Sequence, residues 1–411
     1  MNNRVSAEQH SYFTPFNLLM MFLWSYGSII YFVNLALNRI SSAGGYVTTV
    51  ILFALILASM KEIKKRIKLN DVFFYLAIVV LFCAQYLLYP QNGEILNQYA
   101  SSFLLTVVPF FFFGLLIDIH EHKEPFYWVS LAAVIVQSLY QLWYRPMTGE
   151  YISSEDMVAA YQIAPHVCFL FWVAFDRKRI IYYVPAMLAF IFQVSLGNRG
   201  SLVCVVLFVV YCLFFVLPSK KGFVSRVFAP ALAVVILANY NRLSDYLTSF
   251  FMGHGMSVRV FTKLSDNEFT SSESRQWITN TLLDAVDNGP LFGYGLAGDR
   301  GFSGILYAHN FVVEIFVAFG YVLGGLILAA LAIYVIKAFI RAKDTEDRTF
   351  LVLLICCFMK LMLSGTYMED YDIWILLGYC AGLLRRTRSV GDNVNMQSTA
   401  IGKNTRLEVV K

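Results

Sequence analysis

The sequence predicts an all-α polytopic membrane protein with about 12 transmembrane helices and one large external loop that contains short helices. Three observations lead there. Of the 411 residues 58% are hydrophobic and only 14% charged, with a mean hydropathy of +0.61, against roughly 45–50% apolar and 25% charged in soluble domains. Apolar runs recur along most of the chain at about the ~20 residues a helix needs to cross the bilayer. Lys and Arg concentrate in alternate short loops, as topology requires. A membrane β-barrel would show short alternating segments instead.

The predicted spans are 16–37, 44–60, 71–89, 100–118, 126–144, 158–175, 180–196, 200–217, 225–240, 321–340, 349–365 and 371–385. The first is too long for a signal peptide and lacks a small-residue cleavage pattern, so it reads as a retained helix. Basic clusters follow alternate spans: Lys61 to Lys68, Arg177 to Arg179, Lys220 to Arg226, Lys337 to Lys343 and Arg385 to Arg388. All fall on one side, which the positive-inside rule makes cytoplasmic together with both termini. The organisation is then helices 1–9 over 1–240, a large loop with a re-entrant helix over 241–320, helices 10–12 over 321–385, and a polar tail over 386–411. The seven cysteines all lie in apolar runs, which argues against disulfides and zinc sites. The net charge of +5 reflects topology and calls for no nucleic acid.

The segment 241–308 breaks the pattern of short loops, and a loop this long is usually functional. It carries Arg242, Arg259, Lys263, Arg275 and Arg300 on the external side, where fixed guanidinium forks suit an anionic ligand. Inside it Thr270 and Glu273 form a capping box, and Ile278, Leu282, Ala285 and Val286 follow at helical spacing. That helix runs to about Asp287, where Asn288, Gly289 and Pro290 stop it, the glycine suiting a left-handed cap. Arg275 lies in its first turn, beside backbone amides that attract anions. The apolar stretch from His309 to Gly320 covers only ~18 Å and cannot span, so it reads as a re-entrant or interfacial helix with an ionisable group at the membrane boundary. His309 is either a functional group or a simple cap on that helix. Inside the spans, His166 reads as a hydrogen-bonded bundle residue, and Lys360 as snorkelling or pairing with Glu314. Tyr294, Phe302, Tyr307 and Trp277 are loop aromatics on which sugar rings could stack.

The ordered set formed by Ser195, Gly197, Arg199 and Gly200 as a "Ser-x-Gly-x-Arg-Gly" turn, then Arg275 and Trp277, then Pro290, Gly293 and Gly295 as "Pro-x-x-Gly-x-Gly", then His309 and Asn310 with Glu314 and Gly320, resembles the O-antigen polymerase and O-antigen ligase family over about 180–330. The resemblance implies a bacterial inner-membrane glycosyltransferase. Its donor would be a glycan on undecaprenyl diphosphate, used at the periplasmic face without metal, cofactor or nucleotide sugar. It further implies Arg199 and Arg275 as diphosphate ligands and His309 as the base for the acceptor hydroxyl, with Asn310, Glu314 and Arg300 in support. The bilayer, the undecaprenyl-diphosphate-linked oligosaccharide and a chain-length regulator protein would be its partners. Leu323 departs from the ligase pattern, which wants Gly, Thr or Tyr there, and this favours a polymerase of O-antigen or capsule. The alternatives are an O-antigen ligase that acts on lipid A core and a flippase of lipid-linked oligosaccharide. A flippase usually shows two repeated halves, and no repeat is visible. A pure scaffold would leave the basic loop unexplained.

Overall fold

The computed structural model describes residues 13–40, 44–141, 155–196, 198–217, 246, 249, 273–302 and 305–386. The expected span 225–240, the loop residues Arg242, Arg259, Lys263 and Thr270, both termini and most of the tail lie outside these. The described residues are helical, with no strand among them. In chain order they form α1 (Pro15–Trp24), α2 (Tyr31–Ile40), α3 (Gly44–Arg66), α4 (Leu69–Leu88), α5 (Gly93–Ser102), α6 (Phe110–Leu116), α7 (Ile119–Leu139), α8 (Glu155–Arg177), α9 (Ile180–Ser195), α10 (Arg199–Tyr211), α11 (Glu273–Asp287), α12 (Phe311–Arg341), α13 (Thr345–Phe358) and α14 (372–386). Among the described residues six helical segments are long and apolar enough to cross a membrane, or seven if α1 and the following Tyr26–Asn34, bent by 63°, make one span. The chain is a multi-pass membrane protein.

Burial sorts these helices by neighbour. The apolar window of α8 is 78% buried, whereas those of α3 and α4 are 11% and 17% buried. Helix α8 is therefore the packed centre of the bundle, and α3 and α4 leave apolar surface that only lipid can satisfy. Around α8, Trp24 stacks on Phe126 at 4.8 Å and contacts Phe169 and Phe350. Its indole donates to Ser130 Oγ at 3.0 Å. His166 is a bundle residue, held by Ser28 Oγ at 2.8 Å and Ser130 Oγ at 3.1 Å.

Ion pairs gather the basic loops at one end of the bundle. Arg66 meets Glu121, Lys123 meets Asp176 and Glu346, Arg177 meets Glu124, Arg385 meets Asp71 and Arg386 meets Asp347. The more exposed of these pairs, such as Arg66 with Glu121 and Arg177 with Glu124, contribute little stability; together the pairs show which loops share an end.

The other end is organised by a broken helix. Gly320 has φ 71° and ψ 173° and splits α12 into 311–319 and 321–341, the length at which the sequence predicted a short helix to stop. The break strands the carbonyls of Val317 and Ala318, whose helical partners would lie beyond it. Tyr294 N–H and Gly295 N–H take them at 2.8 and 3.0 Å, so the "Pro-x-x-Gly-x-Gly" segment is the cap of the short helix. Gly320 is confined to a conformation almost closed to other residues, and a Cβ there would lie 2.1 Å from Leu291 O. Gly320→Ala is expected to lower the thermal midpoint of the solubilised protein and its level in membranes. Gly325→Ala, whose Cβ would meet nothing within 4 Å, serves as the control. Equal melting of the two variants would mean that the break is not needed for the fold.

Candidate functional site

Helix α11 forms because Ile278, Leu282 and Val286 lie on one face, and they pack against Ile305, Ala308, Val313 and Val317. This second core fastens the helix of the long loop to the short helix 311–319. The helix stops at Asp287 as expected, but Gly289 is not left-handed: its φ is not among the positive values. It is required for space instead, since a Cβ there would lie 2.3 Å from Ala285 O and 2.5 Å from Tyr294 Oη.

His309 does not cap the short helix. The cap is Asn310, whose Oδ1 accepts from Val312 N–H at 2.9 Å and Val313 N–H at 3.3 Å. His309 precedes it in a left-handed conformation, φ 56°, which turns the imidazole back toward Tyr307, ring to ring at 4.0 Å. Its Nδ1 is buried and has no hydrogen-bond partner among the described residues. Burial, and then the charge of Arg275, lower its pKa to about 4. The imidazole is therefore neutral at pH 7 and free to accept a proton.

A buried ionic cluster holds this turn. Asp299 Oδ2 accepts from Ala308 N–H, one residue before His309, at 2.8 Å, and Asp299 Oδ1 accepts from Arg300 at 2.8 Å. Burial raises the Asp299 pKa and the Arg300 charge opposes that. Arg300 donates to Thr366 Oγ1 at 2.8 Å, lies 3.6 Å from Glu314 Oε1 and sits 4.7 Å over the Tyr99 ring. Thr366 in turn hydrogen-bonds Glu314 Oε1. Asp299 and Glu314 are 1% and 3% exposed, so one guanidinium is shared by two carboxyl groups out of water. The members come from the loop, the short helix and the 359–371 connection, and the cluster ties these three together beside His309.

Arg275, exposed on α11, donates to Leu363 O at 3.0 Å and is close enough to His309 to act on its charge state. Arg199 is the first residue of α10. Asn198 Oδ1 caps that helix by accepting from Ser201 N–H at 3.1 Å. Gly200 follows because Tyr161 Oη occupies the place of a side chain, 2.0 Å from where a Cβ would stand. Tyr161 also lies within electrostatic reach of Arg275, Lys360 and Tyr307. Beside it opens a cavity of about 240 Å³ lined by Tyr161, Gln162, Tyr307, Lys360, Asp370 and Tyr371 among others. Lys360 does not pair with Glu314 as the sequence suggested. It is held by Asp370 at 2.7 Å and Asp372 at 2.6 Å, because Glu314 is already taken by Thr366 and Arg300.

The structure thus gathers His309, Asn310, Arg275, Arg300 and Glu314 about one loop and places the Arg199 turn against the wall of the adjoining cavity. Among the loop aromatics Tyr307 lines the cavity, whereas Tyr294 is consumed in packing, donating to Ala285 O at 3.0 Å and meeting Phe302 at 5.3 Å. Trp277 is exposed. Sequence reasoning missed the acids Asp370 and Asp372 and the contribution of the first half of the chain. Gln85 Oε1 accepts from Leu296 N–H at 3.0 Å, Asn92 donates to Tyr294 O at 2.7 Å and Leu296 O at 3.0 Å, and Tyr89 donates to Phe292 O at 3.2 Å. These groups hold the glycine-rich cap from its far side. His120, Asp344 and Glu346, a cluster of metal-ligand type, lie at the opposite end among the basic loops.

Residues 184–330 match the family model described as O-antigen ligase. No curated protein matches the chain.

Proposed function

From the premise that residues 184–330 carry the domain of the O-antigen polymerase and O-antigen ligase family, we propose that the protein is a polymerase of bacterial surface polysaccharide. It transfers a glycan chain from undecaprenyl diphosphate to a hydroxyl of a second lipid-linked repeat unit. The reading sets it in the inner membrane with twelve spans, cytoplasmic termini and the site at the periplasmic face, with a chain-length regulator as partner protein. The observation that carries it is a His309 Nδ1 buried with no hydrogen-bond partner among the described residues, within electrostatic reach of the Arg275 guanidinium and inside the matched segment.

The chemistry is a displacement at the anomeric carbon. The acceptor hydroxyl oxygen forms the new bond to carbon while the bond from carbon to phosphate oxygen breaks and its electron pair leaves with the diphosphate. His309 takes the hydroxyl proton. Arg275 and Arg199 hold the diphosphate and stabilise the charge that grows on it, a role guanidinium groups fill in a partly dry site. The two parts are coupled. The Arg275 charge is one cause of the low basicity of His309, so a bound diphosphate that offsets this charge moves the imidazole back toward its ordinary value of ~6.5, where a base works better.

Two measurements test the reading. In a deletion strain, loss of a polymerase leaves single repeat units on the lipid core, whereas loss of a ligase leaves none; a bare core would transfer the assignment to the ligase, and unchanged surface glycan would remove it from both. In the complemented strain Arg275→Lys is expected to shorten polymer sharply at normal protein level, because an ammonium keeps the charge and loses the fork. Wild-type polymer in both Arg275→Ala and Arg199→Ala would return these residues to a structural role.

A further inference from the structure

We propose that the cavity between Tyr161, Tyr307 and the Lys360 cluster is the acceptor subsite, and that it takes one uncharged sugar ring with the reacting hydroxyl turned toward His309. The proposal rests on the glycosyl-transfer reading above and adds where the acceptor sits.

Three observations select that ligand. The first is size: about 240 Å³ is just below the ~300–1,000 Å³ of small-molecule sites, which suits one ring and not an oligosaccharide. The second is charge. Lys360 on this wall is shared by Asp370, also on it, and Asp372, and Glu369 adds a further acid to the lining, so the lining acids outnumber its one ammonium. A net negative wall repels a diphosphate and accepts hydrogen bonds from hydroxyl groups. The donor anion is thereby directed to the arginines and the cavity is left to a neutral polyol. Gln162 Oε1, buried without a partner among the described residues, is a further acceptor on the same wall. The third is placement. The lining includes Tyr161, Tyr307 and Tyr371, aromatic rings of the kind on which the C–H face of a pyranose stacks, and one of them, Tyr307, meets the His309 imidazole with ring centroids 4.0 Å apart. A ring seated on Tyr307 therefore brings its hydroxyl edge to the base.

Tyr307 lies on a loop segment outside the helices, so its truncation leaves the bundle intact. With the protein in nanodiscs, lipid-linked polymer as donor and the lipid-linked repeat unit as acceptor, each varied in turn, Tyr307→Ala is expected to raise the KM for the acceptor about tenfold, the size of a lost aromatic contact plus its buried area. The KM for the donor should stay within about twofold, a change of under ~0.5 kcal/mol. Arg275→Lys should show the reverse split. A raised donor KM in Tyr307→Ala, or no change in either KM, overturns the subsite. Should the wild type show no transfer at all, the glycosyltransferase reading fails, and the subsite is then read separately. Saturation-transfer NMR with the repeat-unit oligosaccharide released from the strain's own polysaccharide should give signal with wild type that is lost in Tyr307→Ala, and equal signal, or none with either protein, overturns the subsite.

Discussion

Replacing His309 by Asn is expected to reduce polymer formation by about 10² to 10⁴, the usual contribution of a general base, with the protein inserted and abundant. The substitution is clean for a structural reason. His309 occupies a left-handed conformation that asparagine tolerates better than almost any other side chain with a Cβ. The helix cap belongs to Asn310, so no cap is lost either, and what disappears is the one nitrogen that can accept a proton near neutrality. In the wild type the pH profile should show an acid limb set by the same imidazole. Once it is protonated it cannot act as base, so activity falls as pH drops through its pKa. In the free protein that limb belongs near pH 4, where burial and Arg275 place it, and under the proposed function it is expected to move upward once a diphosphate offsets the Arg275 charge. Normal polymer from His309→Asn would direct the search for the base to the other acids at this end, beginning with Glu369 and Asp370 in the adjoining cavity.

The second large effect is on stability. Arg300→Leu removes the cation that Asp299 and Glu314 share and is expected to destabilise by ~3–5 kcal/mol at neutral pH, the penalty for leaving buried charge without its partner. The loss should shrink as pH falls, because the carboxylates can then take up protons in place of the missing guanidinium. Arg300→Lys should fall between the two, since it keeps the charge but cannot reach Asp299, Thr366 and Glu314 at once. Thermal unfolding of the detergent-solubilised variants at pH 5 and pH 8 reads both the size and the sign. If Arg300→Leu melts with the wild type at pH 8, the cluster does not hold the loop.

Much of this end of the molecule was legible because its signals are local. Ile278, Leu282 and Val286 declare α11 by their spacing, and the interval from His309 to Gly320 is too short to span, which announces the break later seen as a reversed φ. Of the basic clusters, those holding Arg66, Arg177 and Arg385 with Arg386 make ion pairs at one end of the described bundle. What was not legible is long-range. Gln85 and Asn92 bind backbone groups, and Tyr99 underlies the Arg300 guanidinium, each about 200 residues away, and no spacing records such a contact. Asp370 and Asp372 carry no signal of their own in the sequence, since their partner Lys360 is fixed only when the end of α13 meets the start of α14. The partner of Lys360 was misjudged for a related reason: whether Glu314 was available depended on Arg300 and Thr366, a competition decided in three dimensions.

The grip of Gln85, Tyr89 and Asn92 on the glycine-rich cap bears on how such proteins exchange parts. A recombinant that joins the first half of one such protein to the matched segment of another would place foreign side chains against Phe292, Tyr294 and Leu296, whose backbone groups Gln85, Tyr89 and Asn92 satisfy here. Residues 85–99 and 288–300 are therefore a unit of inheritance despite their separation in sequence, and crossovers that carry both should yield working hybrids far more often than those that divide them.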